Sequence, residues 1–93
     1  MPLLFEWDER KAKGNLRKHG VSFEEAATVF ADPMSLTIAD PLHSTDEDRF
    51  VIIGLSYCRR LVVVVHTERD DRIRIIGARR ATGREGRLYE ENS

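Results

Sequence analysis

The sequence predicts a single α+β domain over residues 1–93, a small antiparallel β-sheet packed against helices in the order β-α-α-β-β-β-β-α. Three observations lead there. Strand-like runs at Arg49–Ser56, Leu61–Thr67 and Arg72–Arg80 follow one another with short polar connections, as in a β-meander. Two helix-start signatures lie upstream of them, and a third follows. Nothing repeats, and no linker divides the chain. A domain of this size buries only about 60–65% of its unfolded surface.

Taken in order, Leu4–Trp7 is a short apolar strand. Asp8 is the N-cap of a helix over Glu9–His19, and Gly20 stands where a left-handed turn closes it. Ser22 and Glu25 form a capping box, with Val21 stapled onto Ala26. Phe23, Ala26, Ala27 and Phe30 recur at helical spacing, so a second helix buries that stripe until Asp32-Pro33 stops it. Ser35–Ala39 is a strand and Asp40–Asp48 an acidic loop. Thr82 with Glu85 is another capping box, opening a terminal helix to about Glu91.

Composition is globular, with 41% hydrophobic and 33% charged residues. Cys58 is the single cysteine, which excludes an internal disulfide and fits a reduced, cytoplasmic setting. The start lacks the basic flank and apolar stretch of a signal peptide, and no segment approaches the ~20 apolar residues of a membrane span. Net charge is only −1, but it is segregated. Between His19 and Asp48 there are seven acids and no Lys or Arg; from Arg49 onward ten arginines face six acids. Such a dipolar molecule can attract phosphate on one surface and a basic partner on another.

Chemistry concentrates at the end of the last strand. Strand alternation sends Arg79 and Arg80 to opposite faces, so one structural burial cannot serve both. Paired guanidinium groups suit a planar, bidentate anion such as phosphate. If Arg69-Asp70 is a two-residue turn, Arg79 faces Arg60 and Arg80 faces Arg59, gathering four arginines at one end of the sheet. With Cys58-Arg59 as the preceding turn, Val51 and Ile73 flank His66. His66 then lies roughly 20 Å from Arg79 at ~3.3 Å per residue. His19, His43 and His66 show no metal-ligand spacing, so no metal or other cofactor is expected.

Several segments together carry a resemblance: Phe5-Glu6-Trp7-Asp8, Asn15 through Ala26, Phe30-Ala31-Asp32-Pro33, His66-Thr67-Glu68, Arg74 through Thr82, and Tyr89-Glu90. In this order, over nearly the whole chain, they resemble the BrnT toxins of bacterial type II toxin–antitoxin systems. The resemblance implies a RelE-like fold, a ribonuclease that arrests translation, and neutralisation by a BrnA-type ribbon-helix-helix antitoxin. DNA is then reached only indirectly, through the antitoxin. One departure stands out: Gly83 and Gly86 interrupt the helix-favouring pattern after Ala81-Thr82, each costing a helix about 1 kcal/mol against alanine.

Ribonuclease chemistry needs a base for the 2′-hydroxyl, cations for the phosphorane and an acid for the leaving 5′-oxygen. By analogy with RelE-like enzymes, Arg60, Arg79 and Arg80 would bind the phosphate and Tyr89 would transfer a proton. His66, oriented by Glu68, is the other candidate. Lys13, Arg17, Lys18 and Arg74 would hold RNA, and Trp7 could stack a base. Each residue also has a structural reading: His66 and Trp7 as core, the basic helix as a solvated face, Arg79 and Arg80 as partners of Glu85, Glu90 or Glu91. The competing function is a non-catalytic module that binds only its antitoxin and tunes repression. An uncompensated arginine cluster would favour the enzyme, and a peptide groove near Asp46-Glu47-Asp48 the module.

Overall fold

The computed structural model describes residues 3–40 and 49–92. The chain runs β1 (Leu4–Glu6), α1 (Glu9–His19), α2 (Phe23–Thr28), a 3-10 turn (Val29–Ala31), β2 (Leu36–Ala39), β3 (Arg49–Leu55), β4 (Leu61–Arg69), β5 (Arg72–Arg80) and α3 (Gly83–Asn92). That is the α+β order expected. The five strands form one sheet, β1-β5-β4-β3-β2. β2 to β5 pair antiparallel, while β1 adds a parallel edge beside β5. The predicted acidic loop falls largely at positions 41–48, outside the described residues.

Local chemistry sets the helix ends. The Asp8 carboxylate accepts the Arg10 and Lys11 amides, and Gly20 closes α1 at φ 71°. Ser22 Oγ accepts the Glu25 amide at 3.0 Å, but the Glu25 side chain does not return to cap the helix. At α3 both halves of the box form: Glu85 N–H donates to Thr82 Oγ1, and Thr82 N–H donates to Glu85 Oε1. α3 is continuous through both glycines, yet buries no residue.

The core lies between the helices and one face of the sheet. Val21, Phe23, Ala26 and Val29 pack there on Ile52, Val62, Val64, Ile73, Ile75 and Ala78. The predicted stripe is corrected at its end, because the second helix tightens into a 3-10 turn. Spacing of three then brings Val29 inward, and Phe30 is only partly buried. Gly54 allows this approach: a Cβ there would meet Val29 Cγ1 at 2.7 Å.

Two registers differ from the sequence arithmetic. The β4–β5 turn is Asp70-Asp71, with Arg69 opposite Arg72 and Asp70 at φ 53°. Aspartate tolerates that left-handed conformation far better than arginine. A β-bulge near Ile76 then shifts β5 by one residue, so Val63 faces Arg79 and Val62 faces Arg80. Arg60 and Arg59 therefore do not face the pair. The β3–β4 loop is Tyr57-Cys58-Arg59, closed by Ser56 N–H donating to the Arg60 carbonyl at 3.0 Å. His66 consequently lies between Phe50 and Ile75, not Val51 and Ile73.

Candidate nucleic-acid interface

Arg60 leaves the loop end pointing at a carboxylate, not at Arg79. Its Nε and Nη2 donate to Glu25 at 2.7 and 2.6 Å, and Nη2 also donates to the Gly20 carbonyl. Glu25 is 3% exposed and further accepts Ser56 Oγ–H at 2.7 Å. The Arg60 hydrogen bond holds the Glu25 carboxyl below its ordinary range against the opposing effect of burial. Thr28 Oγ1 accepts the Tyr57 amide, so α2 fastens the whole β3–β4 loop. In this geometry Arg60 latches the loop.

Arg79 and Arg80 part company across the sheet. The bulge places Ala78 with the helical core and so sends Arg79 to the far face, where Glu85 of α3 clamps it through two contacts of 2.8 Å. That clamp lowers the Glu85 carboxyl to about 2. Arg80 opposes Val62 on the helical face and is exposed. Its guanidinium has no partner among the described residues. One arginine is thus preset and its neighbour is available.

Tyr89 hydroxyl donates to Asp32 Oδ2 at 2.7 Å, which together with burial raises the phenol to about 12. Burial pushes the Asp32 carboxyl up, but the Leu55 amide, Tyr89 hydroxyl and Met34 amide more than offset it, and the group is lowered. Asp32 therefore ties α3 to the end of β3. His66 is fully buried, edge-on to Phe30 at 4.8 Å and stacked with Phe50 at 5.9 Å. Its Nε2 lies 3.1 Å from Glu68, and its Nδ1 has no partner. Val63, opposite Arg79, is three residues from His66, about 10 Å at ~3.3 Å per residue. That halves the distance expected from sequence, but the two side chains lie on opposite faces.

Lys13, Arg17 and Lys18 are exposed on α1, away from the Arg79 side of the sheet. Arg74 is on the far face, 2.9 Å from Glu6, which also meets Arg72 at 3.3 Å. Trp7 packs edge-on against Phe23 at 6.0 Å while its indole N–H donates to Glu9. The Asp46-Glu47-Asp48 groove expectation, like His43, lies outside the described residues. No grouping of His, Cys, Asp or Glu suited to a metal exists among the described residues, and no helix there is long and apolar enough to cross a membrane.

Sequence reasoning missed three carboxylate and amide roles. Glu25 reads as half a capping box, Asp32 as a helix stop, and Asn15 carries no local signal at all. The only hint for Glu25 was that its position continues the Val21–Ala26 buried surface.

The molecule is a small α+β domain with adjacent arginines on opposite faces of a sheet end and a terminal helix tethered by polar contacts. Residues 7–85 match the family model described as the ribonuclease toxin BrnT of type II toxin–antitoxin systems, so the chain belongs to the BrnT family. The fold agrees with a 1.1 Å crystal structure of the Brucella abortus ribonuclease toxin BrnT. The TM-score is 0.63 at 23% identity, covering 87% of this chain and 99% of that one. No curated protein sequence matches the chain.

Proposed function

We propose that this BrnT-family chain is an endoribonuclease toxin that cleaves RNA without a metal and inhibits translation in the cytoplasm. A BrnA-type ribbon-helix-helix antitoxin neutralises it and alone contacts the operator DNA. The observation that carries this reading is Arg79, preset by Glu85, beside the unpartnered Arg80. A clamped guanidinium loses little freedom on meeting phosphate, and a free one offers all its donors.

The 2′-hydroxyl gives its proton to solvent as its oxygen attacks phosphorus, and the leaving 5′-oxygen takes up a proton, giving a 2′,3′-cyclic phosphate and a free 5′-hydroxyl. Arg79 stabilises the charge that grows on the phosphorane oxygens, and Arg80, at the same strand end but on the other face, draws a neighbouring backbone phosphate. Tyr89, raised to about 12, stays protonated at neutral pH. It acts as a proton donor or a positioning group, not as the base. His66, sealed between two phenylalanines, serves the sheet.

Induction in a bacterium tests the reading: growth halts with RNA decay, and a co-expressed ribbon-helix-helix partner rescues it. Purified protein cleaves single-stranded RNA in excess chelator. A second reading, the non-catalytic antitoxin-binding module, is favoured by the carboxylates that neutralise Arg60 and Arg79. Normal growth at confirmed soluble expression, with the antitoxin still bound, would establish that alternative.

A further inference from the structure

The far face of the sheet holds a second group of arginines at the end remote from Arg79. Thr67 lies directly opposite Arg49 on β3 and Arg74 on β5, and Arg69 lies directly opposite Arg72. Arg69 and Arg72, facing each other across the strand pair, repel unless an anion sits between them. Among the described residues, Glu6 is the only carboxylate that meets Arg72 and Arg74, and Arg69 has no partner. Beneath them the Thr67 side chain is 4% exposed, and its hydroxyl has no hydrogen-bond partner. A hollow of about 270 Å³ opens alongside, lined by Glu6, Arg69, Asp70, Asp71, Arg72 and Arg74.

We propose that Thr67, Arg69, Arg72 and Arg74 form a phosphodiester subsite that holds the RNA backbone away from the cleavage point. This rests on the ribonuclease reading. Arg72 and Arg74 side chains are 61% and 43% exposed and can swing to admit an oxyanion above the Thr67 hydroxyl. That oxygen gives the hydroxyl its missing acceptor. Glu6, lowered by its hydrogen bonds to Arg74 and then Arg72, remains ionised and keeps both forks splayed. Asp70 and Asp71 occupy the turn beyond the strands, so the anion settles on the strand side of the hollow. Thr67 to Val63 is four residues along β4, so the subsite lies about 13 Å from the residue facing Arg79, at ~3.3 Å per residue. A backbone crossing the far face can then be gripped at two points.

The test uses the whole chain and a fluorescent, uncleavable 2′-O-methyl RNA twelve-mer, read by anisotropy across a salt series, with thermal melting in parallel. Thr67→Val removes only the hydroxyl. It should weaken binding several-fold, on the order of the loss from one charge-assisted contact, while the melting temperature holds or rises. Arg69→Gln and Arg74→Gln should each weaken binding and reduce the log–log salt slope by about 1. Oligonucleotide affinities unchanged in all three variants would overturn the subsite, as would a Thr67→Val protein that melts lower but binds normally. Those results leave the ribonuclease reading standing if wild-type protein still cleaves RNA and arrests growth. A wild-type protein that binds no RNA, or whose arginines respond only to the antitoxin, overturns the subsite as well.

Discussion

Asn15 of α1 grips Ala78 of β5 by both of its backbone groups. Nδ2 donates to the Ala78 carbonyl at 2.8 Å, and Oδ1 accepts the Ala78 amide at 3.1 Å. β1 pairs with β5 only at Arg72–Arg74, so beyond it the outer edge has no neighbouring strand among the described residues. One side-chain amide stands in for that strand beside the arginine pair. It also donates to the Val21 carbonyl at 2.9 Å, joining the end of α1 to the start of α2.

Asn15→Ala should therefore destabilise the domain by about 2–4 kcal/mol, since it orphans three partly buried backbone groups. In a domain of this size each kcal/mol lowers the melting temperature by ~4–8 °C. Asn15→Asp, which loses both donations and sets a carboxylate oxygen against the two carbonyls, should cost at least as much. Chemical denaturation checks this, and a neutral Asn15→Ala would show that water replaces the clamp freely.

Arg60→Ala should cost roughly 3 kcal/mol, because it leaves Glu25 buried without its cation. Replacing both residues with methionine should recover most of that loss, as apolar pairs commonly do. If Arg60→Ala keeps wild-type stability but loses RNA cleavage, Arg60 belongs to the chemistry and not to the loop latch.

Arg80→Ala should leave melting unchanged and reduce cleavage about tenfold, as for loss of one charge-assisted phosphate contact. Arg79→Ala should reduce cleavage on the order of 10²-fold, as for loss of other preorganised charge donors, and also loosen α3, since Glu85 loses its partner. Hydrogen exchange of the α3 amides separates the two variants. Wild-type cleavage by a folded Arg80→Ala protein would remove that residue from the mechanism.

Acid should act in part through Glu85. Its carboxyl is lowered from 4.5 to about 2 in the fold, so the contribution is complete above about 4.5 and disappears as pH falls towards 2. With Arg79 44% exposed, the amount is discounted to roughly 1–2 kcal/mol. Glu85→Gln should flatten this part of the stability–pH curve. An unchanged curve would mean that the Arg79 clamp is absent in solution.

His66→Gln should destabilise by about 1–3 kcal/mol, because a flexible amide replaces a ring packed between Phe30 and Phe50. Cleavage per folded molecule should stay close to wild type. A loss as large as that of Arg80→Ala, with unchanged melting, would make His66 a functional group despite its burial.

The sequence by itself determined the elements and their order. Asp8, Ser22, Gly20 and the Thr82–Glu85 box act within a few residues of themselves, so their chemistry was visible locally. The bounds of α1 and β5 follow from the same near-neighbour rules. Charge segregation and the Arg79-Arg80 pair were equally plain in the chain, and with them the phosphate hypothesis.

Facing and partnership came from tertiary structure alone. The turn displaced by one residue changed only the strand partners, and the bulge at Ile76 decided which face Arg79 occupies, because strand side chains alternate with a period of two. Arg60 found Glu25 across 35 positions, and Tyr89 found Asp32 across 57. Asn15 reached Ala78 across 63. Such contacts depend on how helices settle on the sheet, and no local pattern encodes that settlement. Whether an arginine is free to meet phosphate or already committed to a carboxylate is therefore a property of the packed molecule.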